Sequence, residues 1–250
     1  MQILHWNIQQ GGGTRRTPGI ALHLLASRAD AIALTEFRRS MGGQLAATLS
    51  DHGWRYQLCT DPPLGKNGTL LCARAPLKPG SPPPCPELRH RWLDATLDQG
   101  IRVTALHLPD ARSTRGEAGR RKAAAWHALL GELHAAPSDE PRLIIGDLNT
   151  GRHHLDEPGS RFTCTALLGK LSALGYQDAY RITNPAGRAI SWVSQAGNGF
   201  RLDTAVVSRK IVPLVRTLEY DQSPRLEGLS DHAPVRLTLQ KPVKSSDPAA

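Results

Sequence analysis

Short apolar runs of strand length alternate along this chain with longer Ala/Leu-rich stretches whose apolar residues recur every three or four positions. The short runs predict strands over residues 3–8, 31–35, 68–73, 92–97, 101–106, 143–145, 189–193, 202–207 and 235–239, several of them ending in polar residues. The helical spacing predicts helices over residues 19–28, 41–51, 116–134 and 163–174. The pattern is that of an α/β protein. Residues 78–86 break it, because Pro79, Pro82, Pro83, Pro84 and Pro86 remove backbone donors and fix φ. The strand pattern resumes on both sides, so this segment reads as a loop or extended connector inserted between two strands, and residues 1–240 as one domain. Residues 241–250 carry Val243 as their only large apolar side chain and are expected to be disordered. No internal repeat at a fixed period is evident.

At 250 residues and 40% hydrophobic content, the chain can bury a sizeable core. Charge adds a functional hint: the formal net charge is +9. Removing Lys241, Lys244 and Asp247 from the 31 basic and 22 acidic residues leaves 29 against 21, so the basic character belongs to the body. Such a surface suits a polyanionic partner, nucleic acid or an anionic membrane surface, although solubility alone would also account for it. Cys59, Cys72, Cys85 and Cys164 form no C-x-x-C pair, which argues against a zinc site and for free thiols in a reducing compartment. The start Met1-Gln2-Ile3-Leu4-His5-Trp6 has no leader character, and no apolar run approaches membrane-spanning length, so a soluble cytoplasmic protein is expected.

Candidate chemistry sits at the polar ends of the apolar runs. Asn7 ends the first, and Glu36 follows the run 31–34. Asp147 and Asn149 follow Leu143-Ile144-Ile145-Gly146; two-residue spacing at a strand end can aim both groups at one point, and a carboxylate bordering a core needs a partner such as a metal or a histidine. Asp203 closes Arg201-Leu202-Asp203 ahead of another apolar run. In Ser230-Asp231-His232-Ala233-Pro234 the adjacent Asp231 is placed to hold the imidazole tautomer while His232 does acid or base work. Each of these, taken singly, is equally a cap, a turn or a solvated surface group. Arg112, Arg115, Arg120, Arg121 and Lys122 lie just beyond His107-Leu108-Pro109, and Arg15, Arg16, Arg38 and Arg39 flank the first two sites. These clusters either supply phosphate contacts or form a solvated basic face.

In their order, Trp6-Asn7, Glu36, Gly146-Asp147-Leu148-Asn149, Arg201-Leu202-Asp203 and Ser230-Asp231-His232-Ala233-Pro234 resemble the motif series of the endonuclease/exonuclease/phosphatase superfamily, across residues 3 to about 239. The resemblance implies a DNase I-like, four-layered α/β sandwich of two packed, mainly antiparallel sheets flanked by helices, with the site at the strand ends on one side. The later half, through Leu174-Gly175-Tyr176-Gln177-Asp178, Ser191-Trp192 and Gly199-Phe200-Arg201-Leu202-Asp203, is similar to exonuclease III and the abasic-site endonucleases. Three positions depart from that branch: His107 stands where those enzymes carry Tyr, Thr35 where Gln precedes the metal Glu, and Thr204 where an aromatic follows the Arg-Leu-Asp motif. Other branches of the superfamily carry His-Leu at the first of these.

By the same resemblance Glu36 ligates Mg²⁺ or Mn²⁺, with Asn7 and Asp231 completing or supporting the shell. Asp147 orients or deprotonates the attacking water or assists the leaving group, Asn149 holds a phosphate oxygen, and His232, steered by Asp231 or Asp203, contacts the phosphate or acts as base. Trp192, Phe200 and Leu202 would line a pocket for a sugar lacking its base. The implied activity is a metal-dependent DNA nuclease, a 3′ exonuclease or abasic-site endonuclease, monomeric and acting on double-stranded DNA rather than at a membrane. A sister phosphodiesterase or phosphatase acting on RNA, a phospholipid or a small phosphoester is the alternative. A binding module that has lost the chemistry is a third reading, disfavoured because every position holds a competent residue.

Overall fold

Side-chain alternation along each strand decides the architecture. The structure, a computed structural model, describes residues 1–159 and 161–240. The chain runs β1 (Gln2–Asn7), α1 (Gly13–Ala26), β2 (Ala31–Phe37), α2 (Arg39–Asp51), β3 (Tyr56–Cys59), β4 (Gly68–Ala73) and β5 (Leu77–Pro79). It continues with β6 (Trp92–Leu97), β7 (Arg102–His107), α3 (Gly116–Ala135), β8 (Arg142–Asp147), α4 (Thr165–Ala173), β9 (Tyr176–Asp178) and α5 (Ala179–Thr183). The last part is β10 (Trp192–Val193), β11 (Gly199–Phe200), β12 (Asp203–Ser208), β13 (Val215–Tyr220), α6 (Ser223–Leu226) and β14 (Val235–Leu239).

Two six-stranded sheets result, ordered β13-β14-β1-β2-β4-β3 and β5-β6-β7-β8-β12-β9. In each, one central pair is parallel, β1 with β2 and β7 with β8, and the remaining neighbours are antiparallel. Inward residues such as Ile3, Ala33 and Leu71 of the first sheet pack between the sheets against Val103, Ala105 and Ile145 of the second. The alternate residues face outward: Leu4, Trp6, Ile32 and Leu34 receive Ile20 and Leu24 of α1 with Leu45 and Leu49 of α2. On the other side Leu106, Ile144 and Val206 receive Ala125, Trp126 and Leu129 of α3 with Leu171 of α4. This is the helix–sheet–sheet–helix layering of the DNase I-like fold. Each large apolar side chain so buried stabilises the fold by about 1.5–3 kcal/mol.

The structure departs from the sequence expectation where elements are short. β5 takes in Lys78 and Pro79, pairing with β6 at the edge of its sheet, where a proline's missing N–H is tolerated. β3, β9 and β13 were not apparent in the apolar pattern, since β3 and β13 lie partly open to solvent and β9 spans only three residues. The strand expected over 189–193 contracts to Trp192–Val193. All four cysteines are free. The expectation of disorder for 241–250 falls outside the described residues. Among the described residues no helix is long and apolar enough to cross a membrane.

Candidate active site

The inward register that builds the apolar core turns polar at one end. On β1 it runs Ile3, His5, Asn7; on β7, Val103, Ala105, His107; on β8, Leu143, Ile145, Asp147; and on β12, in reverse, Val207, Ala205, Asp203. Register then places the polar ends together, His107 opposite Asp147 and Asp147 opposite Asp203. The first sheet closes on the second through Asn7, whose Nδ2 donates to Asp147 Oδ2 at 3.1 Å. His232 enters just before β14, held by Trp6 Nε1 donating to its carbonyl at 2.9 Å.

Asp147 is buried, and its Oδ1 accepts the Asn149 amide at 2.9 Å. Its Oδ2 lies 3.7 Å from His107 Nε2 and 4.0 Å from His232 Nε2. The far nitrogen of His232, Nδ1, is 2.7 Å from Asp203 Oδ2. Burial, reinforced by the Asp203 charge, pushes the Asp147 carboxyl up to about 7. Burial alone would discharge His232, but Asp203 and then Asp147 overcome it and raise the imidazolium to about 10. Burial likewise works to raise Asp203, and the facing His232 keeps it below its ordinary value. His107 is held neutral, far below its usual range, by burial and by the nearby Arg91. Near neutral pH the site therefore presents a poised carboxyl facing an imidazolium. At 4.0 Å the two groups are too far apart for a direct hydrogen bond.

Glu36 owes its position to a β-bulge. Thr35 pairs with Thr69 and Phe37 with Gly68, leaving Glu36 unpaired at φ +54°. Its Oε2 accepts the Gln10 amide at 2.8 Å and Asn67 Nδ2 at 3.0 Å, and its Oε1 has only a 3.4 Å contact to Asn7. Asp231 Oδ1 is buried with no hydrogen-bond partner among the described residues. A carboxylate oxygen with spare capacity and an orphaned one are the hard donors a Mg²⁺ or Mn²⁺ ion takes. Asp147, Asp203 and His232 also bring ligand atoms within 4.8 Å of one another and could hold a metal. The contact with Asp203 already engages Nδ1 of His232, which leaves that residue its Nε2 to offer.

The structure narrows two of the sequence expectations and corrects a third. Asn7 turns its amide N–H groups to Glu36 and Asp147 while its Oδ1 accepts the Gln9 amide, so of the two expected roles, completing the metal shell or supporting it, this geometry is that of support. Of the two residues expected to steer His232, Asp203 has the imidazole, while Asp231 Oδ2 accepts Trp192 Nε1 at 2.9 Å. Lys122 is no surface phosphate contact: on α3 it shares the buried side with Ala125 and Trp126, and its Nζ donates to the Asn149 carbonyl. Asn149 itself has φ +48°, with Nδ2 bonded to Leu108 O. Arg112, Arg115, Arg120 and Arg121 are exposed around the start of α3. Trp192 and Phe200 stand half-buried with ring centroids 5.5 Å apart, and Trp192 is 6.3 Å from His232.

Sequence reasoning missed several participants. His5, wholly buried, places Nδ1 3.6 Å from the second Asp203 oxygen, and the polar residue two before Asn7 on the inward face was its only signal. Asn67, which braces Glu36, lies in a loop with no pattern of its own. Arg201 was noted only as part of a motif. It is buried and grips Asp156 and Asp178, with Arg181 also on Asp156, so the start of β12 beside Asp203 is locked in place.

A family model described as Endonuclease/Exonuclease/phosphatase family matches residues 4–232. No curated protein sequence matches the chain. Among solved structures, a 3′-5′ exonuclease (NExo) from Neisseria meningitidis is similar with TM-score 0.83 at 21% identity, over 96% of this chain and 100% of that one. A variant of the 3′ phosphatase NExo from Neisseria, bound to product DNA hairpin, gives TM-score 0.83 at 22% identity with the same coverage. An AP endonuclease from Archaeoglobus fulgidus gives 0.84 at 17% identity, again over 96% and 100%.

Proposed function

The chain belongs to the endonuclease/exonuclease/phosphatase family, and from that premise we propose that it is a divalent-metal-dependent phosphodiesterase acting on double-stranded DNA, as a 3′ exonuclease or an abasic-site endonuclease. The observation that carries this reading is the pairing of a buried carboxyl raised to about 7 with an imidazolium 4.0 Å away, whose other nitrogen is held by a second carboxylate. Similarity in fold to a protein solved with a DNA hairpin and to an AP endonuclease supports DNA as the substrate.

In this reading Asp147 orients the attacking water and takes its proton, helped by its location between Asn7 and the Asn149 amide. His232, kept cationic by Asp203, donates to a phosphate oxygen across the gap. The Asn149 side chain has one N–H on Leu108 O and no further partner among the described residues for Nδ2, so its second N–H would serve another phosphate oxygen. Glu36 and Asp231 would hold Mg²⁺ or Mn²⁺, which when bound sets positive charge against the phosphate oxygens.

The test is hydrolysis of duplex DNA with an abasic site, a recessed 3′ end or a 3′-phosphate, beside RNA, a phospholipid and a small phosphodiester, each with Mg²⁺, with Mn²⁺ and with chelator. Metal-dependent turnover of a DNA substrate is expected. Turnover confined to RNA, lipid or the small ester moves the assignment to a sister phosphoesterase, and full activity in chelator overturns the metal.

A further inference from the structure

β1 reaches both buried carboxylates of the site. Its inward face runs Ile3, His5, Asn7: Asn7 donates to Asp147, and two residues earlier His5 lies against Asp203. His5 is wholly buried, and its Nδ1 stands 3.6 Å from Asp203 Oδ1. Neither atom has a hydrogen-bond partner among the described residues. The other carboxylate oxygen, Asp203 Oδ2, faces His232 Nδ1 at 2.7 Å. One buried carboxylate thus lies between two imidazoles, engaged at one oxygen and orphaned at the other.

The surroundings of His5 fix which nitrogen carries its proton. Burial, working against the pull of Asp203, lowers the ring to about 4, so near neutral pH it has one donor nitrogen and one acceptor. Its Nε2 is 3.1 Å from Thr35 Oγ1, the only side-chain bond Thr35 makes among the described residues. With the proton on Nε2, the Thr35 hydroxyl would lack an acceptor and Nδ1 would turn a lone pair on the carboxylate. With the proton on Nδ1, Thr35 donates to Nε2, Nδ1–H points at Asp203 Oδ1, and every one of these groups is satisfied. Closing from 3.6 Å to an ordinary N–H···O length of about 3.0 Å takes only a small rotation of either side chain, which the cost of a buried unpaired acceptor favours. Thr35 is also one of the three departures from the exonuclease III branch, and this contact gives it a use.

We propose that His5 is a positioning residue: as the Nδ1–H tautomer it donates to Asp203 Oδ1 and fixes the plane of the carboxylate that orients His232. This rests on the phosphoesterase reading, in which His232 donates to the phosphate, and it extends the line of contacts behind that histidine through Asp203 and His5 to Thr35. A carboxylate held at one oxygen can swing about its last bond, whereas one held at both presents Oδ2 to the imidazole at a fixed angle. His5 is wholly buried and touches no substrate, so its effect falls on turnover and not on binding.

The test compares the full chain with its His5→Asn, His5→Gln and His5→Leu variants, using Mn²⁺-supported hydrolysis of bis(p-nitrophenyl) phosphate and, independently of activity, ¹⁵N NMR of the histidine rings near neutral pH. Asn carries its amide at the δ position and Gln at the ε position, so only His5→Asn returns a donor to the place of Nδ1. His5→Leu and His5→Gln are expected to lose on the order of 10-fold in kcat with KM unchanged, the scale for a hydrogen bond that orients a reacting group from behind, and His5→Asn to recover most of that loss. The His5 ring, identified by its disappearance from the His5→Asn spectrum, should be a neutral imidazole with its proton on Nδ1. A proton on Nε2 overturns the proposal, and so does a wild-type kcat in His5→Leu; with the wild type active, the phosphoesterase reading stands in both cases. Equal losses in all three variants that follow their melting temperatures make His5 structural and overturn it as well. A wild type that carries the proton on Nδ1 yet hydrolyses no phosphoester overturns that reading, and the role of His5 in turnover with it.

Discussion

Replacing Arg201 with Met tests how the site is held in place. The guanidinium makes bonds to Asp156 at 2.7 and 3.1 Å and to Asp178 at 2.5 and 3.2 Å, with Thr204 at 2.9 Å. It is about 4% exposed, and Asp156 about 2%. Methionine fills much of the same volume, so the cost comes from electrostatics more than from a cavity. Asp156 would keep Arg181 and the Arg152 amide, whereas Asp178 would keep only the Tyr180 amide and the Thr204 hydroxyl. Removing one partner from a buried ion pair costs about 3–5 kcal/mol, because the remaining charge is buried uncompensated. Partial compensation by Arg181 puts the expectation at the lower end, about 3 kcal/mol, a large share of a typical total of about 5–15 kcal/mol. Urea unfolding at 25 °C measures it. Adding Asp178→Asn should recover part of the loss, since the uncompensated charge is then gone. Turnover should fall as well, because β12 carries Asp203 directly beyond Arg201. A loss under ~1 kcal/mol, with turnover unchanged, refutes the reasoning.

Asp147→Asn and His232→Ala should each lower turnover by at least ~10²-fold while DNA binding persists, and near-wild-type rates in folded protein would remove these residues from the chemistry. The pH–rate profile should rise through about 7 as Asp147 loses its proton and fall towards about 10 as His232 loses its own; a flat profile across that window contradicts the assignment. The folded His232 value lies above its ordinary 6.5, so the stability from its pairing with Asp203 is full below that value and drains away as pH climbs towards about 10, a trend that Asp203→Asn should abolish in unfolding experiments at several pH values. Lys122→Met should destabilise the protein by ~1–3 kcal/mol by orphaning the Asn149 carbonyl, and leave the salt dependence of DNA affinity unchanged. Removing Arg112, Arg115, Arg120 and Arg121 together in the Asp147→Asn background should flatten that salt dependence by roughly one unit for each phosphate these arginines neutralise, and an unchanged slope would rule the cluster out.

Local sequence was enough to establish the alternating elements, the strands of the core and the polar residues at their ends. A strand's two faces are set by a period of two, so Leu143, Ile145 and Asp147 announce both an apolar interior and the point where it stops. The ordered motifs made the family legible for the same reason, each being a short run in one strand or turn. Tertiary structure decided which polar ends meet and what each does there. Asp231 sits beside His232 in sequence, but successive residues near a strand point to opposite sides, and Asp203, brought in by the pairing of β12 with β8, takes the imidazole. Lys122 belonged by sequence to a basic run, and only the packing of α3 turned it inward beneath Asn149. Asn67 carries no local mark at all, and His5 only its polar place on the inward face, because their roles arise from contacts across sheets and loops that depend on register and on the closing of one sheet over the other.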